Sequence, residues 1–188
     1  ATTGELRRWE RDGTAWRAVG APVPVVVGRS GLLPAADKRE GDGAAPAGRF
    51  ALGDATGYGN KPRGVRLRYR VATPELRCVD DVAAPEYNTL TAAPVTWRSD
   101  EKMRRDDELY RYTIFVRHHD ARAPGMGSCI FLHVWRDATS PTVGCTAMAL
   151  ADLRALLSWV DPATELVQLP RDEYEKRQRA WGLPAQRK

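Results

Sequence analysis

The chain has 188 residues, enough to bury a sizeable core without several disulfides or a metal to hold it together. Hydrophobic residues at 43% and charged residues at 28% sit near the globular average, which excludes disorder, collagen-like structure and coiled coil as descriptions of the whole. No apolar run approaches the roughly 18 residues of a membrane-spanning helix, and the net charge of +5 is mostly arginine interleaved with Asp and Glu rather than a basic block suited to nucleic acid.

The first half reads as β structure. Leu6 to Glu10 and Ala15 to Val19 flank Asp12-Gly13, a hairpin signal, and Val23 to Gly28 is a short apolar run suited to a covered strand. Residues 31–48, rich in Gly, Ala, Pro and charge, read as a long loop before a short strand at Arg49 to Leu52. Val65 to Val71, Leu76 to Asp80 and Tyr110 to His118 follow as strands, with a second long loop at residues 83–107. Loops of that length are uncommon unless functional, so both are expected to wall a substrate cleft.

Ser128 to Trp135 is the clearest strand, and period-two geometry puts Cys129, Phe131, His133 and Trp135 on one face, with Ile130, Leu132 and Val134 on the other. After a turn-rich stretch from Asp137 to Gly144, Leu150, Leu153, Leu156, Leu157 and Val160 recur at helical spacing, and Asp161-Pro162 ends that helix. Glu165 to Leu169 reads as a closing strand. The polar segment 171–188 is expected to carry a short helix capped by Asp172 and Glu175. The whole is read as one mainly β domain, 1–188, with one main helix. The start at Ala1, with no methionine and no basic-then-apolar layout, reads as a mature or trimmed form.

The three cysteines, Cys78, Cys129 and Cys145, cannot all pair within the chain. Cys145 follows Pro141-Thr142-Val143-Gly144 and precedes the helix by a few residues, so backbone N–H groups and a positive helix end are expected to favour its thiolate. The other reading of Cys145 is a small buried hydrophobe. His133 lies in an apolar strand, a costly place for an imidazole unless it is hydrogen-bonded or faces a cleft, and loop and turn bring it towards Cys145 as a general base. Paired metal-ligand spacings are absent, so neither metal nor cofactor is expected. His118 and His119, beside Asp120, are read as cleft-rim residues or as exposed polar groups at a strand end; Asp81 is read as an amine-binding or a turn-capping acid.

Ile130-Phe131-Leu132-His133-Val134-Trp135, then Ser140-Pro141-Thr142-Val143-Gly144-Cys145-Thr146-Ala147-Met148 and the Asp152-Leu153 helix, resemble the catalytic end of the L,D-transpeptidase (YkuD) family. Pro46-Ala47-Gly48-Arg49-Phe50 resembles a further segment of that family, and Cys78-Val79-Asp80-Asp81 with Tyr87-Asn88 resembles its ErfK/YbiS-type branch. The resemblance implies a β-sandwich in which a cysteine attacks the carbonyl of the third residue of a peptidoglycan stem peptide, releases D-alanine, and passes the acyl group from the thioester to an amine.

Carried onto this chain, it implies Cys145 as nucleophile, His133 as base, the Gly144 and Cys145 amides facing the oxyanion, and a carbonyl near Val143 orienting the imidazole. Thr142, Arg136, Trp135, His118 and Asp81 are then candidates to hold substrate. A periplasmic or cell-envelope location follows, with Cys78 and Cys129 as a disulfide or as two reduced core cysteines. The chain departs from the family pattern at Val143, where a histidine is usual, at Ala147, where Arg or Asn is usual, and in the short separation of His133 from Cys145. A stem-peptide carboxylate would then be held by Arg136 or not at all. Hydrolysis of the thioester by water and an inactive wall-binding module are the alternative readings.

Overall fold

A computed structural model describes residues 1–119 and 123–185. Two long strands, β1 (Thr3–Asp12) and β2 (Ala15–Val26), form an antiparallel hairpin over Gly13-Thr14, with Gly13 at φ 59°. A left-handed first turn residue suits the twist of the flanking strands, and glycine takes it without a Cβ clash. The two segments read as separate strands, 15–19 and 23–28, lie largely in the single strand β2. A register irregularity between Leu6 and Arg8 absorbs Gly20-Ala21-Pro22, where proline offers no N–H to the ladder.

Short strands then alternate with turns: β3 (Leu32–Pro34), β4 (Ala45–Gly57), β5 (Tyr69–Val71), β6 (Arg77–Val79), β7 (Leu90–Thr91), β8 (Asp100–Lys102) and β9 (Tyr112–Arg117). The catalytic-end segment supplies β10 (Phe131–Val134), β11 (Thr146–Met148), α1 (Leu150–Trp159), β12 (Glu165–Gln168) and α2 (Arg171–Arg177). The 31–48 stretch therefore contains β3 and the start of β4, and the 83–107 stretch contains β7 and β8. Both were too poor in alternating apolar residues to read as strands. Conversely, the strand expected at 65–71 narrows to β5, and the one expected at Ser128 to Trp135 narrows to β10 because Cys129 adopts φ 54°, outside the extended region.

One large sheet runs β1-β2-β11-β10-β9-β4-β12, with β3 and β5 also pairing to β4, and a separate small sheet runs β7-β6-β8. Within the large sheet β10 is parallel to β11 and antiparallel to β9. The chain is mainly β, with α1 as its main helix and α2 as a short C-terminal one. Leu153, Leu156 and Leu157 of α1, with Val160 after it, bury against Val25, Phe50, Leu52, Ile114, Val116, Leu132 and Val134, forming the larger core. Leu150 faces outward at 39% exposure. A second cluster, Leu76, Cys78, Met103, Tyr110, Cys129, Phe131 and Cys145, fills the opposite side of β10, towards the small sheet. Helix α2 starts from Pro170 with no side-chain cap; Asp172 lies inside the first turn rather than at the cap, so the expected reciprocal cap with Glu175 is not formed.

Candidate active site

The parallel pairing of β10 and β11 sets the geometry. Leu132 registers with Thr146 and His133 with Ala147, so Cys145, one residue before β11, lies diagonal to His133. Strand spacing and rise put such Cα atoms roughly 8 Å apart, within reach of an imidazole and a thiol on one face. Phe131 and His133 do share a face: the Tyr110 ring meets both edge-on, at 5.7 Å and 5.4 Å between centroids. The alternation read from the sequence thus separates an aliphatic side, Ile130, Leu132 and Val134, from a side carrying Cys129, Phe131 and His133.

Cys145 is 5% exposed. Its sulfur accepts the Phe131 N–H at 3.3 Å, and its S–H donates to the Cys129 carbonyl at 3.6 Å. The expected helix-end stabilisation is absent, because β11 stands between Cys145 and α1. Burial, reinforced by the Glu101 carboxylate, instead pushes the Cys145 thiol up to about 12, with the Phe131 amide and the Lys38 charge pulling the other way. At neutral pH Cys145 rests as a thiol, not a thiolate.

His133 is 8% exposed, and its Nδ1 lies 2.7 Å from the Val134 carbonyl. Burial holds the imidazole down to about 4, against the pull of that carbonyl, so the ring is neutral at pH 7. A neutral ring beside a carbonyl donates Nδ1–H to it, which leaves the Nε2 lone pair able to accept a proton. The orienting carbonyl is therefore that of Val134, not one near Val143. Val143 is 70% exposed, at the tip of the turn.

Thr142 shapes that turn. Its hydroxyl donates to the Cys145 carbonyl at 2.6 Å and accepts the Gly144 N–H at 3.1 Å, while its backbone bridges to Gly28. The Gly144 amide, expected to face the oxyanion, is thus turned inward. Gly144 itself has φ 153°, and a Cβ there would meet the Ala44 carbonyl at 3.3 Å and Lys38 Nζ at 3.7 Å.

Trp135 is half-buried, with its amide bonded to the Met148 carbonyl. Arg136 is exposed and, after Arg105, contributes to holding Asp107 below the usual carboxylate range. His118 is buried at 4% exposure against the His119 ring, with Nε2 at 3.2 Å from the Met126 carbonyl, so it is neither a rim residue nor an exposed one. Asp81 accepts the Ala83 and Arg98 amides, the turn-capping arrangement. Asp120 lies outside the described residues. Cys78 and Cys129 are joined by a disulfide across 5.9 Å between Cα atoms, and Ala147 is fully buried.

Sequence reasoning missed the groups that surround the thiol. Glu101 accepts the Tyr110 hydroxyl at 2.5 Å. Glu40 accepts from Tyr87 at 2.5 Å and Ser128 at 3.0 Å, Asn88 accepts the Cys129 amide at 2.9 Å, and the 3%-exposed Lys38 donates to Asp42 at 2.8 Å. Lys38, Glu40, Asn88 and Glu101 come from the two stretches read as loops, where alternating charge gave no sign of which members would make these bonds. Among the described residues, no group of three or more His, Cys, Asp or Glu is arranged to hold a metal, and no helix is long and apolar enough to cross a membrane.

A buried thiol and a neutral imidazole with Nδ1 held by a carbonyl are groups that could carry nucleophilic acyl transfer. The YkuD family model, an L,D-transpeptidase catalytic domain, matches residues 2–169. No curated protein and no solved structure matches the chain.

Proposed function

Because the chain belongs to the L,D-transpeptidase catalytic-domain (YkuD) family, whose chemistry is peptidoglycan cross-linking, we propose that it performs cysteine-dependent acyl transfer on peptidoglycan stem peptides in the cell envelope. Residues 1–188 are read as one catalytic domain. The observation that carries the reading is the diagonal placement of Cys145 and His133 on paired strands, with His133 Nδ1 bonded to the Val134 carbonyl.

In this mechanism the Cys145 sulfur attacks the carbonyl carbon of the third stem residue while His133 Nε2 takes the thiol proton. The new S–C bond forms as the carbonyl π pair moves to oxygen. Collapse of that tetrahedral species breaks the amide C–N bond, and the imidazolium returns its proton to the departing D-alanine amine. An acceptor amine then attacks the thioester and the thiol is regenerated. Because burial raises the thiol, its proton leaves as the S–C bond forms rather than in a pre-formed ion pair. The Cys145 amide is the backbone donor we assign to the oxyanion, since the Gly144 N–H is already given to Thr142. Ala147 is buried and apolar, so the donor carboxylate is held elsewhere, and exposed Arg136 is the assigned cation.

Intact-mass measurement after treatment with a carbapenem tests the reading. One adduct is expected on the wild-type chain and none on Cys145→Ala or His133→Ala. A His133→Ala chain that acylates at the wild-type rate removes the base from the mechanism. Incubation with muropeptides, with and without an added D-amino acid, then separates exchange from hydrolysis, and no product of either kind sinks the enzymatic reading.

A further inference from the structure

Tyr110 is the residue that the mechanism has not used and that touches most of it. It is 7% exposed, in the turn before β9, and its ring packs edge-on against both Phe131 and His133. Its hydroxyl donates to Glu101 Oε2 at 2.5 Å, and the Arg105 guanidinium covers the ring at 5.2 Å. Arg105 is itself held by two hydrogen bonds to Asp107.

Glu101 stands on β8 directly opposite Cys78 on β6. Cys78 is disulfide-linked to Cys129, whose carbonyl accepts the Cys145 S–H. A closed circuit therefore runs from Cys145 through Cys129, Cys78, Glu101 and Tyr110 to His133, and from β10 to β11 back to Cys145. The Val134 carbonyl holds Nδ1 of His133, and the Leu109 carbonyl also interacts with the ring. Rotation of an imidazole about χ2 is soft, so the plane of the ring must be set by what packs on it. Among the described residues, the Tyr110 ring packs edge-on against it.

We propose that Glu101 and Tyr110 are positioning residues for the thiol–imidazole site, the Tyr110 ring fixing the plane of His133 and the Glu101 carboxylate fixing Tyr110 through its hydroxyl. The proposal rests on the reading of Cys145 and His133 as nucleophile and base. Neither Glu101 nor Tyr110 exchanges a proton with substrate in this role. An ionised Glu101 makes a charge-assisted bond to the phenol, stronger than the bond to a protonated acid, so the positioning depends on the charge of Glu101.

Burial pushes Glu101 up to about 6, opposed by the Tyr110 hydrogen bond and by Arg105, and reinforced by Asp80 and Glu40. These groups, with the Cys145 thiol, are the charged and titratable neighbours that face it. The base itself titrates near 4. The acid limb of acylation should therefore lie near 6, set by Glu101, and not near 4, where His133 takes its proton.

The test is the saturating rate of Cys145 acylation by a carbapenem, followed by intact mass from pH 4 to 8, on the wild-type chain, Tyr110→Phe and Glu101→Gln. Tyr110→Phe keeps the ring and Glu101→Gln keeps an acceptor, so both should melt within a few degrees of wild type. At pH 8 each is expected to slow the saturating rate on the order of 10-fold with little change in the half-saturating concentration. In Glu101→Gln the acid limb should move from near 6 down towards 4. Should Tyr110→Phe fold poorly, the limb position in Glu101→Gln decides alone. Wild-type rates and an unmoved acid limb in the variants overturn the proposal while leaving the dyad intact. Wild-type acylation by His133→Ala overturns the underlying reading instead, so the two failures are distinguishable.

Discussion

The two faces of β10 make opposite use of the same four residues. Leu132 and Val134 join Ile130 in an aliphatic layer beneath α1, where Leu153 and Leu157 are fully buried. Phe131 and His133 look the other way, into a cluster that holds a thiol, a phenol and an imidazole under the small sheet. On the first face stability comes from buried apolar area. On the second, polar and sulfur groups are tied in pairs: Tyr110 to Glu101, His133 to the Val134 carbonyl, the Cys129 amide to Asn88, and Cys78 to Cys129. A site that must keep reactive groups out of water cannot be held by apolar packing alone, because each buried polar atom left unpaired carries a desolvation cost.

That contrast can be broken most strongly on the helix side. Leu157→Ala is expected to cost about 2–5 kcal/mol of unfolding free energy, read by denaturant titration, while the folded fraction acylates at the wild-type rate. His133→Ala should instead abolish acylation even in the fraction that stays folded. If Leu157→Ala slowed acylation of the folded protein as much as it lowered stability, the two faces would not be separable.

Acid acts on the polar face. His118 and His133 are both held down near 4 by burial, against an ordinary value of 6.5. A depressed folded-state value means that the unfolded chain binds protons first, so stability is full above pH 6.5 and falls as pH drops towards 4. Each imidazole accounts for about 3 kcal/mol at most over that window, and Glu101, raised to about 6, partly offsets the loss because its folded form takes the proton first. A melting temperature that declines between pH 7 and pH 4.5, and declines less in His118→Gln, is the expected result; a flat profile would contradict it.

Removing the disulfide as Cys78→Ala/Cys129→Ala opens a loop of 51 residues and should lower stability by about 2–4 kcal/mol. Because that bond also ties β6 to the segment that accepts the Cys145 S–H, acylation should slow as well, which no change on the α1 face would do. The smallest effect is expected at the exposed pair of Arg7 and Glu5: Arg7→Ala should shift stability by no more than about 0.5 kcal/mol and leave acylation untouched.

The elements legible in the sequence were those with an unbroken period. Helix α1 runs over Leu150–Trp159, where leucines recur at helical spacing before Asp161-Pro162, and β12 runs over Glu165–Gln168, within the closing strand expected at Glu165 to Leu169. The alternation at Ile130 to Val134 also sorted its side chains to the two faces. Less was legible where long-range pairing decides. Asp100–Lys102 and Leu90–Thr91 are strands because they lie against β6, not through any pattern of their own. The inward turn of Glu101 and Lys38 had no local signal, since neighbouring charged residues such as Arg39 and Lys102 face solvent.

By itself the sequence determined the mainly β character, the position of the main helix, the face that His133 shares with Phe131, and membership of its family through the His133 and Gly144-Cys145 segments. Those are properties of spacing and residue type along the chain. Only the tertiary structure decided which carbonyl holds His133, that the Gly144 amide turns inward, that Cys145 rests as a thiol, and which acid faces it. Each of these depends on the distance and burial of groups far apart in sequence, and a side chain's charge and hydrogen bonds are set by the neighbours that folding brings to it.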